Sequence, residues 1–132
     1  MQLAGRLIGR IFKLRDIMQN VELEGIGIEL CRRLMARDYQ HIAEWLGYAI
    51  SFGRATKDAI KEDFEQSLHE SGGALELSEF KVTVKTFDGS IAGLSNLIEC
   101  RFFFPDSESE VLAEIIQNDS GFYLEQISCV KS

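Results

Sequence analysis

Hydrophobic and polar residues alternate along the second half of the chain in the manner expected for β-strands. From Phe80 to Lys85, apolar residues occupy every second position, which predicts a strand with one buried face. Asp88-Gly89 and Asn118 to Gly121 favour tight turns, because glycine tolerates the positive φ that such turns require. Together with Pro105, which ends a strand, these signals predict four consecutive antiparallel strands between Glu76 and Val130.

The predicted strand from Asn96 to Phe104 is apolar on both of its sides. One side carries Ile98, Cys100, Phe102 and Phe104, and the other carries Leu97 and Phe103 beside Glu99 and Arg101. A strand that is apolar on both sides is covered on both. We therefore expect one face of the sheet to meet the helices, and the other to be covered by a second subunit or by the N-terminal helix.

The first half of the chain shows the apolar spacing of three and four residues that is typical of amphipathic helices. The predicted elements are a helix over residues 3–18, a helix capped by Asn20, a short helix from Tyr39 to Leu46 capped by Asp38, a short strand from Tyr48 to Phe52, and a helix from Lys57 to Glu70 capped by Thr56. In the short helix, Ile42, Trp45 and Leu46 are predicted to point inward. The pattern predicts an α+β fold in which helices pack on a curved, mainly antiparallel sheet.

The net charge of −7 over 132 residues is unevenly distributed. The first fifteen residues contain Arg6, Arg10, Lys13 and Arg15 and no acid, so they carry +4 and the remainder carries −11. We therefore divide the chain into a basic amphipathic helix, residues 1–19, and a single α+β domain, residues 20–132. Nucleic acid is not an expected partner of so acidic a protein. Because a short helix with four cations anchors weakly on lipid, the sequence favours packing of this helix on its own domain over a membrane surface.

Three cysteines, Cys31, Cys100 and Cys129, cannot all pair within the chain. No C-x-x-C pair is present and there are only two histidines, so neither a metal site nor a cofactor is expected. Cys31 and Cys100 fall at predicted core positions, as free thiols do in a reducing compartment. No segment has the length and apolarity of a membrane span, and no secretory signal is recognisable, so we expect a cytoplasmic protein.

The order of the elements, together with the segment CRRLMARDYQHIAEWL from Cys31 to Leu46, resembles the nuclear transport factor 2-like superfamily of the cystatin-like fold. The matching parts are the small-residue–Asp step at Ala36 to Asp38, the inward positions from Ile42 to Leu46, the strand from Tyr48 to Phe52 and the helix opened by Thr56. The resemblance implies a curved sheet that wraps against helices to form a cone, often with a pocket at its open end and frequently with a dimer through the sheet. The superfamily includes isomerases, dehydratases, transport adaptors and proteins without an assigned activity, so the fold alone does not select a function.

The same resemblance implies a type of active site. Enzymes of the superfamily commonly use a pocket carboxylate as the base and a Tyr, a His or a second acid to polarise a carbonyl. The candidates for these catalytic roles are Asp38, His41, Tyr48 and Glu99. The candidates for binding a ligand are Trp45, Tyr48, Phe52, Arg101 and Tyr123. Each group also has a simpler interpretation: Asp38 as a helix cap, the aromatic residues as core, and Glu99 with Arg101 as a surface ion pair.

The function that the sequence favours is non-catalytic binding of a small apolar ligand or a protein partner by a homodimer. One alternative is a cofactor-free lyase or isomerase that uses a pocket carboxylate and a Tyr or His. Another is a membrane-surface adaptor that attaches through the basic N-terminal helix. An enzyme predicts ionisable groups that converge in a deep pocket, whereas a binding module predicts a filled or apolar pocket and an exposed apolar patch.

Overall fold

The computed structural model describes residues 2–87 and 93–131, and for residues 2–16 it describes the helical backbone alone. Three helices pack on a five-stranded mixed sheet. The helices are α1 (Gln2–Met35), α2 (Tyr39–Trp45) and α3 (Thr56–Ser71), and a short 3-10 helix covers Leu75–Leu77. The strands are β1 (Gly47–Tyr48), β2 (Glu79–Thr86), β3 (Asn96–Phe103), β4 (Ser109–Asn118) and β5 (Gly121–Lys131). The predicted α+β class is confirmed.

The sheet has the order β1-β5-β4-β3-β2, with β1 parallel to β5 and the other neighbours antiparallel. The four strands predicted from the alternating pattern are therefore present as consecutive antiparallel neighbours. The turn predicted at Asn118 to Gly121 joins β4 to β5, where Asn118 pairs with Gly121. The turn predicted at Asp88-Gly89 lies outside the described residues.

The core lies between the helices and one face of the sheet. Helix α1 packs on β2 and β3, whereas α3 packs on β4 and β5. Phe102 of β3 is fully buried and meets the ring of Phe64 of α3 edge to face, with 5.6 Å between the ring centroids. Cys31 and Cys100, which the sequence placed in the core, are both completely buried. The space between the helices and this face is thus filled by close-packed side chains rather than left hollow at Phe102.

One continuous helix replaces the two that the sequence predicted for the N-terminal third. Helix α1 runs without interruption from Gln2 to Met35, so Asn20 lies inside a helix and is not a cap. The helix also crosses the predicted boundary between residues 19 and 20. No proline stands in this stretch to break the backbone hydrogen bonds, and a single Asn in a helix interior has only a small cost.

Helix α1 approaches the sheet closely because of Gly27. A Cβ atom at this position would lie 2.5 Å from Cγ1 of Val82 and 2.8 Å from Cγ2 of Ile98. Real Cβ atoms essentially never lie this close to a non-bonded carbon, so a side chain at this position would force α1 or the side chains of Val82 and Ile98 to shift. This contact fixes the height of α1 above β2 and β3.

Several local predictions for residues 38–56 are wrong. Trp45 does not point inward: it is 41% exposed, because the seven-residue helix α2 turns only Tyr39 and Ile42 into the core. The strand predicted from Tyr48 to Phe52 is limited to Gly47–Tyr48, since the chain turns at Ala49 and Ile50, and Phe52 has a positive φ of +50°. Helix α3 starts at Thr56 itself, with Ala55 at the N-cap position and no side-chain capping bond.

Candidate functional site: the open face of the sheet

The second face of the sheet carries no helix in the described part of the chain. We call it the open face, and it is formed by alternate residues of four strands: Lys81, Thr83 and Lys85 of β2; Leu97, Glu99, Arg101 and Phe103 of β3; Glu110, Leu112, Glu114 and Ile116 of β4; and Gln126, Ser128 and Val130 of β5. The open face is separate from the core, as Leu112 shows. This residue is buried, yet it does not belong to the hydrophobic cluster packed under the helices. Strand β3 therefore carries apolar side chains on both of its sides, as predicted. The described part of α1 lies on the face of the sheet opposite the open face.

The centre of the open face is an ion-pair network that joins three strands. Arg101 donates from Nη2 to Oε2 of Glu99 at 2.8 Å and from Nη1 to Oε2 of Glu110 at 3.0 Å. Lys85 lies 2.7 Å from the other oxygen of Glu99, measured from Nζ to Oε1. Both carboxylates are buried, with exposed fractions of 6% for Glu99 and 7% for Glu110. The network thus neutralises two buried acids within one molecule.

The electrostatics of the network argue against acid–base chemistry at Glu99. The hydrogen bond and charge of Lys85, together with those of Arg101, lower the pKa of Glu99 although its burial acts in the opposite direction. A general acid or base is most effective when its pKa lies near the pH at which it works, which for a carboxyl group at neutral pH means a raised pKa. Glu99 is instead a carboxylate that is ionised at neutral pH and whose charge is already compensated.

Apolar side chains surround this network. Leu97, Phe103, Ile116 and Val130 are partly exposed and Leu112 is buried among them. Leu97 and Ile116 are directly opposite each other in the register of β3 and β4, so they form one continuous apolar patch. The arrangement is a charged but internally paired centre within an apolar rim, which is typical of a surface that can be buried against a partner.

A second cluster of polar side chains links the loop after β1 to helix α3. The hydroxyl of Tyr48 donates to Oδ2 of Asp63 at 2.5 Å, and Nη1 of Arg54 donates to Oδ1 of the same carboxylate at 3.0 Å. Arg54 also donates to the backbone carbonyls of Ile50 and Ser51. An open cleft of about 420 Å³ lies beside this cluster, between α3 and β5.

The pKa shifts of this cluster indicate a structural clamp. Burial, followed by the hydrogen bond to Asp63, raises the pKa of Tyr48 well above its ordinary value, so the phenol stays protonated. Burial would raise the pKa of Asp63, but the hydrogen bonds from Arg54 and Tyr48 outweigh it and lower that pKa. Neither group is poised to exchange a proton near neutral pH. The cluster therefore holds the loop against α3.

Sequence reasoning did not single out Arg54 and Asp63. Asp63 offered one signal, because it stands three residues after Ile60 and next to Phe64 on the apolar side of α3, where an unpaired carboxylate would be costly. Arg54 offered none, since its contacts depend on how the loop folds back on the helix.

The candidate residues named from the sequence fall into separate parts of the molecule. Asp38 and His41 contact each other at the start of α2, with 2.6 Å between Nδ1 and Oδ2, and their hydrogen bond lowers the pKa of the partly exposed Asp38 carboxylate. Asp38 occupies the N-cap position of α2, as predicted, but makes no capping bond with its side chain. Glu99 and Arg101 belong to the open face.

The predicted ligand-binding set is also divided. Tyr48 is buried in the clamp, whereas Phe52 is 81% exposed and Trp45 is largely exposed, so the three do not form a closed aromatic cage. Tyr123 stands on β5 opposite Gly47 of β1 in one direction and opposite Ile116 of β4 in the other. It therefore lies at the edge of the open face, and the structure does not bring these five residues together in one pocket.

Among the described residues, no group of three or more His, Cys, Asp or Glu side chains is arranged to hold a metal ion. Comparisons of the chain with protein-family models, with curated proteins and with solved structures find no match.

Proposed function

We propose that the protein is a non-catalytic binding domain that forms a homodimer through the open face of its sheet. The observation that carries this proposal is the partly exposed apolar rim of Leu97, Phe103, Ile116 and Val130 on a face that no described helix covers. Apolar side chains on an uncovered sheet gain free energy when a partner removes them from water.

The charges of the open face favour a second copy of the chain as that partner. Lys81 lies on β2 at one side of the face and Glu114 lies on β4 towards the other side, and neither belongs to the ion-pair network at the centre. A two-fold axis parallel to the strands places β2 of one copy against β4 and β5 of the other. In that arrangement Lys81 of each copy comes close to Glu114 of its partner.

Burial of the centre in such a dimer leaves no charge unpaired. Glu99, Arg101 and Glu110 already satisfy one another within each copy. These side chains have thus already lost most of their contact with water when the monomer folds, so dimerisation adds little further desolvation free energy. The interface itself adds apolar contact at the rim.

The separation of the ionisable groups supports a binding role over the enzyme alternative. Asp38 with His41, Tyr48 with Asp63, and Glu99 with Arg101 form three separate local pairs. Each of the three acids has a lowered pKa. An enzyme with one base and one electrophilic group needs them within reach of a single substrate.

We further infer that the fold is a cone of the nuclear transport factor 2-like type. The support is the order of the elements, in which three helices and a short strand precede four antiparallel strands, and the parallel pairing of β1 with β5. Dimerisation through the sheet is what that resemblance implies.

Sedimentation equilibrium of the whole chain tests the proposed dimer. We expect the wild type to have twice the monomer mass of 14.9 kDa. The double substitution Leu97→Lys with Ile116→Glu should give the monomer mass, because it places two charges in the interface yet lets them pair across the strands of one copy. The change is neutral in net charge, and far-UV circular dichroism checks that the sheet persists.

A matched control places the same two charges elsewhere. Phe52 and Leu77 are exposed apolar residues outside the open face, with exposed fractions of 81% and 65%. The substitutions Phe52→Lys with Leu77→Glu should leave the dimer intact. A wild type that is monomeric at about 100 μM, far above the nanomolar to micromolar range of specific dimers, would overturn the proposal. Equal loss of the dimer in both double variants would do the same.

A further inference from the structure

Helix α1 carries two apolar stripes that lie on opposite sides of the same helix. In its C-terminal half, Leu23, Gly27, Leu30 and Leu34 are buried against the sheet at spacings of three and four residues. Just before them, three apolar side chains point into water: Ile17, Met18 and Val21 are 59%, 64% and 63% exposed. The helix does not break between the two groups.

The helical repeat extends both stripes to the start of the chain. Counting back from Val21 in steps of three and four, the positions on its side of the helix are Met18, Ile17, Leu14, Ile11, Arg10, Leu7, Ala4 and Leu3. Counting back from Leu23, the positions on the sheet-facing side are Asn20, Gln19, Asp16, Phe12, Gly9, Ile8 and Gly5. Seven of the first eight positions are apolar, whereas five of the second seven are polar or glycine. The N-terminal stripe is therefore rotated by about half a turn from the side that meets the sheet.

This rotation prevents the stripe from packing on its own domain. A straight helix cannot present opposite sides to the same sheet, and α1 keeps its C-terminal half on β2 and β3 through the close contact at Gly27. The packing on its own domain that the sequence favoured for this helix thus conflicts with the geometry at Ile17, Met18 and Val21. A different partner must cover a stripe of this length if it is to be buried.

The positive charge of the first fifteen residues indicates which partner can cover the N-terminal stripe. The first fifteen residues carry four cations and no acid. On the helical repeat, Arg6 and Lys13 fall along one border of the apolar stripe, Arg15 falls along the other, and Arg10 falls within the stripe. A pairing of this stripe with the same stripe of a second copy would bring eight cations together without a counter-charge, which disfavours self-association.

We propose that the N-terminal half of α1 lies on an anionic lipid surface, with its apolar stripe in the acyl boundary and its basic borders at the headgroups. Cations along both borders of an apolar stripe are the pattern of helices that lie in the plane of the membrane interface. No described helix, α1 included, is apolar enough to cross a bilayer.

The rest of the molecule is placed suitably for this contact. Because the sheet packs on the side of α1 opposite the stripe, the acidic domain lies on the water side of the helix. The stripe from Leu3 to Val21 is about 27 Å long, at 1.5 Å per residue. The N-terminal end of the stripe therefore lies more than two Debye lengths, of about 10 Å each, from the half of α1 that packs on the sheet. At that distance salt screens the repulsion between the anionic lipid and the acidic domain.

Flotation of the full chain with vesicles tests the proposal. The probe is a vesicle of phosphatidylcholine with a quarter phosphatidylserine, compared with phosphatidylcholine alone, and we expect binding to the anionic vesicles that falls with added salt. The variant Ile17→Asp with Val21→Asp should lose about tenfold or more in affinity, since it puts charge into the stripe.

The matched control is Gln19→Asp with Asn20→Asp, which adds the same charge to the same turns on the opposite side of the helix. It should weaken binding much less than the stripe variant does. Equal losses in the two variants, or absence of wild-type binding to anionic vesicles, would overturn the proposal. Sedimentation of both variants without lipid provides a second readout: a fall in mass confined to the stripe variant would show that a second copy covers the stripe, and would also overturn it.

Discussion

Glu99 is an acid whose charge is compensated in the folded state alone, and this couples the stability of the fold to pH. Its pKa is lowered by Lys85 and Arg101, so its contribution to stability is complete above the unfolded pKa of a Glu side chain, about 4.3, and is lost as the pH falls through the lower folded pKa. Glu99→Gln should lower the free energy of unfolding by about 1–3 kcal/mol at pH 7, because the charge-assisted bonds are lost. The difference from wild type should shrink between pH 5 and the folded pKa.

Urea unfolding at pH 7 and at pH 3 measures this effect. Glu76→Gln is the control, because Glu76 is exposed and its loss should change the free energy of unfolding by less than about 0.5 kcal/mol at either pH. A difference between Glu99→Gln and wild type that stays constant down to pH 3 would show that the carboxylate is not held ionised by its partners.

At the residue scale, the sequence predicted burial better than it predicted chemistry. Alternation placed Cys100 and Phe102 in the core, and both are completely buried. Trp45 was predicted to be buried from its spacing of three residues after Ile42, but a seven-residue helix has too few turns for such spacing to define a face. The clamp of Tyr48, Arg54 and Asp63 could not be predicted, because it joins residues whose proximity exists only after the loop has folded on α3.

The contact of α1 with the sheet can be tested at two glycines of the same helix. Gly27→Ala places a methyl group within 2.5 Å of Val82 and should destabilise the protein by about 1–3 kcal/mol, as overpacking does. Gly25→Ala meets no atom within 4 Å and should stabilise it by about 0.4–1 kcal/mol, because alanine is the better helix former.

Thermal or urea unfolding of the two single variants tests this contact. The same substitution, two residues apart, is expected to change the free energy of unfolding in opposite directions. Stabilisation by both would mean that α1 can lift from β2 and β3 at no cost. In that case the orientation of the N-terminal stripe would no longer be fixed by the sheet.

At the element scale, the strands and α3 were predictable and the length of α1 was not. The alternation of apolar and polar residues is clearest in β2, and turn-forming residues or Pro105 separate the later strands; both signals depend on local sequence alone. In α1 the apolar pattern changes phase by about half a turn between Val21 and Leu23. In a sequence, such a change of phase predicts the start of a new helix. The backbone of α1 is nevertheless continuous through this point. The same change of phase gives the helix its two stripes.

At the scale of the whole molecule, the two proposed surfaces point in opposite directions. Helix α1 packs on one side of the sheet and the open face is the other side, while Ile17, Met18 and Val21, at the end of the N-terminal stripe, are exposed on the side of α1 away from the sheet. When two copies stack through their open faces, about 10 Å apart, each α1 lies on an outer side of the sandwich. The two stripes then face away from each other, and one flat bilayer cannot accept both.

A dimer built in this way should connect two membranes. We expect the wild type to cluster vesicles that contain phosphatidylserine, seen as a rise in particle size by dynamic light scattering. The monomeric variant Leu97→Lys with Ile116→Glu should still float with the same vesicles but should not cluster them, because it has one stripe per particle and an unchanged net charge. Phe52→Lys with Leu77→Glu should cluster vesicles as the wild type does. Clustering by the monomeric variant would refute the opposed arrangement, and clustering by neither protein despite flotation of both would place the dimer contact elsewhere than on the open face.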